Sequence, residues 1–258
     1  MAQTGSLEKK TGSERAAGGA LRGLARRLRD VGVSRAKALH AALGLYLTVA
    51  LGLSVLALWG FAALADNVLE GDTEAFDRAV LTWIHAHGTG WLDTSAMEVT
   101  ALGSFVVLAV IGLMVSLLLW HLEKERYVAL IWLAVTGSLV LNQTLKAVFA
   151  RARPDVFERL VDVGNLSFPS GHAMNSMVFY TVISYSIGHV VGPGRARTVV
   201  YTLGAILIGV IGWTRMYLGV HYPSDVVAGY TVGFAWATIC AVLTEAWGKR
   251  LENGSSER

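Results

Sequence analysis

Trp213-Thr214-Arg215-Met216-Tyr217-Leu218-Gly219-Val220-His221-Tyr222-Pro223-Ser224-Asp225 lies where two long apolar runs, 199–218 and 226–247, almost meet. Runs of this length, joined by so short a link, fit a chain that crosses a bilayer and turns straight back. Yet the link carries a guanidinium, an imidazole and a carboxylate, groups that are costly at membrane depth unless paired or used. Pro223 suits the first position of a helix, which puts Asp225 in the first turn and His221 just ahead of it. From there the carboxylate reaches back to one ring nitrogen, fixes the tautomer, and leaves the other nitrogen free as a nucleophile or base. Arg215 stands ready to hold an anion beside that ring. The combination describes a phosphate-handling site.

Outward from this link, the chain reads as all-α and polytopic. Of 258 residues, 53% are hydrophobic and 16% charged, against about 25% charged in an ordinary soluble domain. Six apolar runs, 41–65, 99–120, 127–150, 173–191, 199–218 and 226–247, each approach the ~20 residues that cross a ~30 Å hydrocarbon core. Ser, Thr, Tyr and Gly dilute the fourth and fifth. The residues divide into a basic cytoplasmic tail (1–40), a six-helix membrane domain (41–247) and a short cytoplasmic tail (248–258). The first tail reads as disordered to about Gly19. Beyond it, Leu21, Leu24, Leu28 and Val31 recur at helical spacing among arginines, as in a basic helix on an anionic membrane surface, or a solvated tail. A cleavable signal peptide is not expected, because the charged region and the apolar run after it are both too long. Between the first and second spans, residues 74–87 place Phe76, Val80, Trp83 and His87 on one face, an interfacial amphipathic helix roofing the outer surface. His85 and His87 sit at its polar edge. Cys240, the single cysteine, reads as a packing residue and excludes an internal disulfide.

Lys and Arg in short connections orient the chain. The N-terminal tail, Lys124 with Arg126, Arg195 with Arg197, and Lys249 with Arg250 share one side, so both termini are expected in the cytoplasm of a cell inner membrane. Arg151, Arg153 and Arg159 break the rule on the opposite, outer side, and an anionic ligand explains them. Three islands lie on that side. Lys146 and Arg153, seven apart, bracket the end of the third run, and Pro154 turns Arg153 out of the helix. Taken alone, the pair reads as juxtamembrane cations reaching for the interface. Pro169-Ser170-Gly171-His172 opens the fourth run, where Ser170 and Gly171 present free amides to an anion and His172 stands within reach. The third island is Arg215 to Asp225. Asn142 and Gln143, one turn before Lys146, read as interhelical hydrogen bonders or as supports of the site. Arg151 reads as a headgroup contact or a contact to a second phosphate.

These motifs, Lys146-x6-Arg153-Pro154, Pro169-Ser170-Gly171-His172 and Thr214-Arg215-x5-His221-x3-Asp225, resemble the three-part signature of the type 2 phosphatidic acid phosphatase family, which is related to glucose-6-phosphatase and the vanadium haloperoxidases. Thr214 replaces the family's Ser and keeps the hydroxyl. The resemblance implies a membrane lipid phosphatase that needs no metal or cofactor. It makes His221 the nucleophile, oriented by Asp225, and His172 the acid that serves the leaving group. Lys146, Arg153, Arg215 and the Ser170 and Gly171 amides become the holders of the phosphoryl oxygens. The expected partners are the bilayer and a lipid phosphate, with no nucleic acid. Undecaprenyl diphosphate, phosphatidylglycerophosphate and phosphatidic acid are the candidate substrates. A phosphotransferase with the same phosphohistidine, or a non-catalytic binder of anionic lipids, are the alternatives.

Overall fold

The computed structural model describes residues 44, 45 and 48–256, with side chains through 248. The amphipathic reading of residues 20–39 lies outside the described residues. Of the unit Met1–Val49, only 44, 45, 48 and 49 are described, all of them helical; the rest of this account concerns the unit Ala50–Arg258. Eight α-helices carry the described chain: α1 (Thr48–Glu70), α2 (Glu74–Ala86), α3 (Gly90–Thr100), α4 (Phe105–His121), α5 (Glu125–Phe149), α6 (Gly171–Val191), α7 (Arg195–Tyr217) and α8 (Pro223–Ser256). No strand forms among the described residues. A lone antiparallel bridge, Ala152 with Leu166, ties the connection between α5 and α6.

α1, α5, α7 and α8 are each long and apolar enough to cross a bilayer, and α3 with α4 makes a fifth candidate if the bent pair is one span. The protein is therefore an integral membrane protein. The run 99–120, expected as one helix, is broken: the axis turns by 53° between α3 and α4. Gly103 and Ser104 cause the break. Ser104 leaves the helix at φ −75°, ψ 146°, and its Oγ accepts the Val107 N–H, starting α4 afresh as an N-cap.

α6 is not among the helices apolar enough to count as a candidate span, and it is the most enclosed of the long helices. It packs on α5, α7 and α8, burying Ala173, Met174, Val178, Phe179 and Val182 along one side. Its Ser and Tyr residues dilute hydropathy because they face protein rather than lipid. Ser186 Oγ donates to the Val182 carbonyl, and Tyr180 Oη to that of Leu102. The lipid-ward residues of α4 and α7, such as Val106, Met114, Leu203 and Ile206, are exposed. Bare glycine backbone lets α8 approach α6: a Cβ at Gly229 would stand 2.7 Å from the Ser170 carbonyl oxygen, and one at Gly233 2.8 Å from that of Met174. Cys240 is buried in this core, as a packing residue should be.

α2 turns Asp77, Leu81 and Ile84 inward while Phe76 and Trp83 stay exposed. His85 stacks on Phe157 with centroids 4.1 Å apart, and His87 donates through Nδ1 to the Trp83 carbonyl at 2.7 Å. The two histidines thus serve different neighbours.

Candidate active site

The C-terminal ends of α5 and α7 and the N-terminal ends of α6 and α8 meet at one end of the bundle, as their up-and-down order requires. Two apolar clusters fix the connections there. Phe168 is fully buried against Phe61 and Phe149, with ring centroids 5.9 and 4.9 Å away, which anchors the residues before α6. Ile84, Ala96, Tyr217, Leu218 and Val220 form the second cluster, under the turn that leads to His221.

That turn follows from local chemistry. Gly219 adopts φ +72°, the left-handed residue that ends a helix, with the Phe157 ring so close that a Cβ would meet it at 2.6 Å. Val220 and His221 then donate their amides to the Arg215 carbonyl at 3.2 and 3.3 Å. Pro223 opens α8, as the sequence predicts, and Asp225 reaches back to accept the Tyr222 N–H at 2.9 Å, half of a capping box. The same carboxylate oxygen, Oδ2, lies 3.4 Å from His221 Nδ1, and Ser167 Oγ donates to it.

The other face of the imidazole meets Arg153, whose Nη1 stands 3.1 Å from His221 Nε2. A guanidinium has only donors, so Nε2 accepts and the ring proton sits on Nδ1, toward Asp225. Burial pushes the His221 ring down to about 3, against the pull of Asp225, so it is neutral at physiological pH with its lone pair on Nε2. Arg153 also donates to the carbonyls of Val220 at 2.6 Å and of Gly164. Its burial lowers its affinity for the proton from the ordinary arginine value.

Lys146, half-buried, gives Nζ to the Leu166 carbonyl at 2.8 Å. Arg215 is buried and donates Nη1 to Thr100 Oγ1 at 2.8 Å, while its Nε has no partner. His172, in the first turn of α6, lies against Gly103, where a Cβ would come 3.2 Å from its Cδ2. Arg215, His221, Arg153 and Lys146 all act electrostatically on this imidazole, so the three islands of the sequence converge.

Two details differ from the expectation. The Ser170 amide is not free: it donates to the Asp225 backbone carbonyl at 3.0 Å, because α6 and α8 start side by side. What Ser170 has to offer is its buried hydroxyl, which lacks a partner. Arg151 is no headgroup or diphosphate contact. Its Nη1 binds Asp225 Oδ1 at 2.7 Å and its Nη2 binds Asp77 Oδ2 at 2.9 Å, with the guanidinium 4.3 Å from the Tyr222 ring centroid. Thr214, in the position of the family's Ser, turns its Oγ1 to the Ile211 carbonyl at 2.6 Å within its own helix. Asn142 is buried between α5 and α6, its Oδ1 just 3.0 Å from where a Gly171 Cβ would stand, whereas Gln143 is exposed. Sequence reasoning missed Asp77 and Ser167. The only trace of Asp77 was its register in α2, seven residues before Ile84 on the buried side.

A buried neutral imidazole backed by a carboxylate, with a second imidazole and several cations acting on the same pocket, is a site suited to a phosphoryl group at one end of a membrane helix bundle. The comparisons agree. The model of the PAP2 superfamily matches residues 126–249. Phosphatidylglycerophosphatase B of Bacillus subtilis (strain 168) is 31% identical over 173 residues, 67% of this chain and 83% of that protein. The putative undecaprenyl-diphosphatase YbjG of Escherichia coli (strain K12) is 30% identical over 144 residues, 54% of this chain and 68% of its own length. The crystal structure of a transmembrane PAP2 type phosphatidylglycerolphosphate phosphatase from Bacillus subtilis superposes with a TM-score of 0.71 at 27% identity, covering 75% of this chain and 96% of that one. This chain belongs to the PAP2 superfamily, and with that membership it is an enzyme of the lipid phosphatase class.

Proposed function

We propose that the protein hydrolyses a lipid phosphate through a phosphohistidine on His221, with the site at the outer face of a cell inner membrane. The observation that carries the reading is the His221 ring, with Nε2 at 3.1 Å from a guanidinium and Nδ1 toward a buried carboxylate. On arrival of the headgroup, Arg153 exchanges the Nε2 lone pair for a phosphoryl oxygen. Lys146, Arg215, the Ser170 hydroxyl and the Gly171 amide hold the remaining oxygens. The lone pair then forms a P–N bond as the P–O bond to the leaving group breaks. His172, which takes up a proton as the anionic phosphoryl group arrives among the cations, gives that proton to the departing oxygen. In the second half, a water oxygen attacks phosphorus, its proton passes to His172, and the P–N pair returns to Nε2. Asp225 stabilises the cationic ring in between.

Six crossings complete the topology, with α6 as a span enclosed by its neighbours and α2 as an amphipathic helix at the outer interface, its Phe76 and Trp83 turned outward. Both termini then lie in the cytoplasm, in keeping with the basic residues of tail and loops. The acyl or prenyl tail stays in lipid while the headgroup enters at membrane level. Among the candidate substrates, phosphatidylglycerophosphate stands first, ahead of undecaprenyl diphosphate and phosphatidic acid. It is the substrate for which the Bacillus relative is named, and Arg151, one candidate contact for a second phosphate, is already engaged by two carboxylates. The test is phosphate release from purified members of this panel in detergent. Wild type should turn over at least one of them, and His221→Ala should lose at least 10³-fold, within the range that nucleophile removal costs. Unchanged turnover in His221→Ala would end the reading.

A further inference from the structure

Behind the His221 ring, three charged side chains from three segments stand in a row: Asp77 of α2, Arg151 after α5, and Asp225 of α8. Asp77 is fully buried and accepts the Ser224 N–H at 3.0 Å as well as Arg151 Nη2. Arg151 bridges the two carboxylates with separate nitrogens, and Asp225 turns its remaining oxygen to His221. A fully buried carboxylate on an outer helix, reaching across the fold to the back of the nucleophile, is more than a packing contact needs.

We infer that Asp77 is a positioning residue for catalysis: by neutralising Arg151 it keeps a net negative charge behind His221 for the moment when that ring becomes cationic. This inference rests on the phosphohistidine reading. The reasoning is charge arithmetic. Asp225 alone would be balanced by Arg151, leaving a neutral pair behind a ring that already faces Arg153, with Lys146 and Arg215 acting on the same pocket. With Asp77 the row carries one net negative charge. The ring is neutral in the resting site and positively charged only once the P–N bond forms, so the effect falls on the chemical step and not on the binding of an anionic substrate. Removing the Asp77 charge makes the pocket more positive, which favours binding and opposes reaction. The two kinetic constants should therefore separate.

The experiment uses the full-length protein in detergent, with the panel lipid of highest turnover as substrate and inorganic phosphate as competitive inhibitor. Asp77→Asn keeps the shape and an acceptor for the Ser224 N–H but drops the charge. Its expected kcat is at least about tenfold below wild type, with KM and the inhibition constant of phosphate unchanged or lower. The paired variant Asp77→Asn with Arg151→Gln restores one net negative charge, and should recover part of the lost kcat. Unchanged kcat in Asp77→Asn overturns the inference. So does a loss of kcat accompanied by an equal loss of phosphate affinity, the mark of a collapsed site. If Asp77→Asn alone does not fold, the pair decides: turnover within about tenfold of wild type supports the charge account, and a pair that is inactive or does not fold overturns it. A wild type that releases no phosphate from any lipid refutes the function and takes this inference with it, whereas an active wild type matched by Asp77→Asn refutes the inference alone.

Discussion

Gly229 is where the two halves of the site touch, and the sharpest perturbation is a single methyl group there. α6 carries Ser170 and His172; α8 carries Asp225, one turn before Gly229. A Cβ on Gly229 would stand 2.7 Å from the Ser170 carbonyl oxygen, 3.1 Å from the Met174 nitrogen and 3.1 Å from Ala173 Cβ. The first two are backbone atoms and cannot rotate aside. Ordinary C–H···O contacts begin at about 3.3 Å, so Gly229→Ala must separate the helix starts by roughly 0.6 Å. The Ser170 amide bond to the Asp225 carbonyl, now 3.0 Å, stretches with them. Overpacking of this kind costs about 1–3 kcal/mol, partly offset by about 1 kcal/mol from replacing glycine within a helix. The net loss of stability is therefore small. Catalysis should suffer more, because a displacement of about 1 Å in a catalytic group is worth about 10²-fold. On that scale, Gly229→Ala should lower kcat about tenfold while its melting temperature in detergent shifts by only a few degrees. Phosphate release and a thermal-shift assay on the same preparation measure both. Wild-type kcat in Gly229→Ala would refute the claim that close approach of α6 and α8 sets the catalytic geometry.

The remaining expectations concern charge. Because burial holds His221 near 3, below the ~6.5 of an unfolded histidine, the folded state binds fewer protons, and stability is lost as pH falls from about 6.5 toward 3. Wild type should lose up to about 1.4 kcal/mol per pH unit relative to His221→Gln over that window, and parallel stability curves would contradict it. For the same reason the acid limb of kcat/KM set by His221 should appear only toward about pH 3, and a His221 limb at pH 6–7 would mean that the ring is not held neutral by burial. Inorganic phosphate at 100 times its dissociation constant should stabilise the protein by about 2.7 kcal/mol, read as a raised melting temperature; no shift would argue against a preformed anion site among Lys146, Arg153 and Arg215. Hydrolysis should survive EDTA, since those side chains supply the charge that would otherwise come from a metal, and strict Mg²⁺ dependence would refute this.

What the sequence reveals and what it hides follow one physical rule. Periodicity and composition report which solvent a side chain faces, lipid or water, and they do so well for α1, α5, α7 and α8. α6 faces neither. Enclosed by helices, it is free to use Ser, Thr and Tyr, and its weak hydropathy reflects that central position. Candidate site residues were legible where their chemistry made no sense as surface: Arg153 just past an apolar run, and His221 and Asp225 between two of them. Asp77 failed that test because it sits among Asp66, Glu70, Asp72 and Glu74, where one more carboxylate reads as solvated. Its burial depends on Arg151, 74 residues away, which no local pattern encodes. The same pairing removes Arg151 from the substrate side, although Arg151 and Arg153 look alike in sequence. The difference between them is geometric. Ala150 leaves α5 at a positive φ of 45°, and the bridge between Ala152 and Leu166 ties down the residue that separates the two arginines. Arg151 turns to Asp225 and Asp77 on one side of His221, and Arg153 turns to the ring nitrogen on the other. Two arginines that look alike in sequence thus keep different company, the first fixed by carboxylates and the second set against the imidazole nitrogen and two backbone carbonyls.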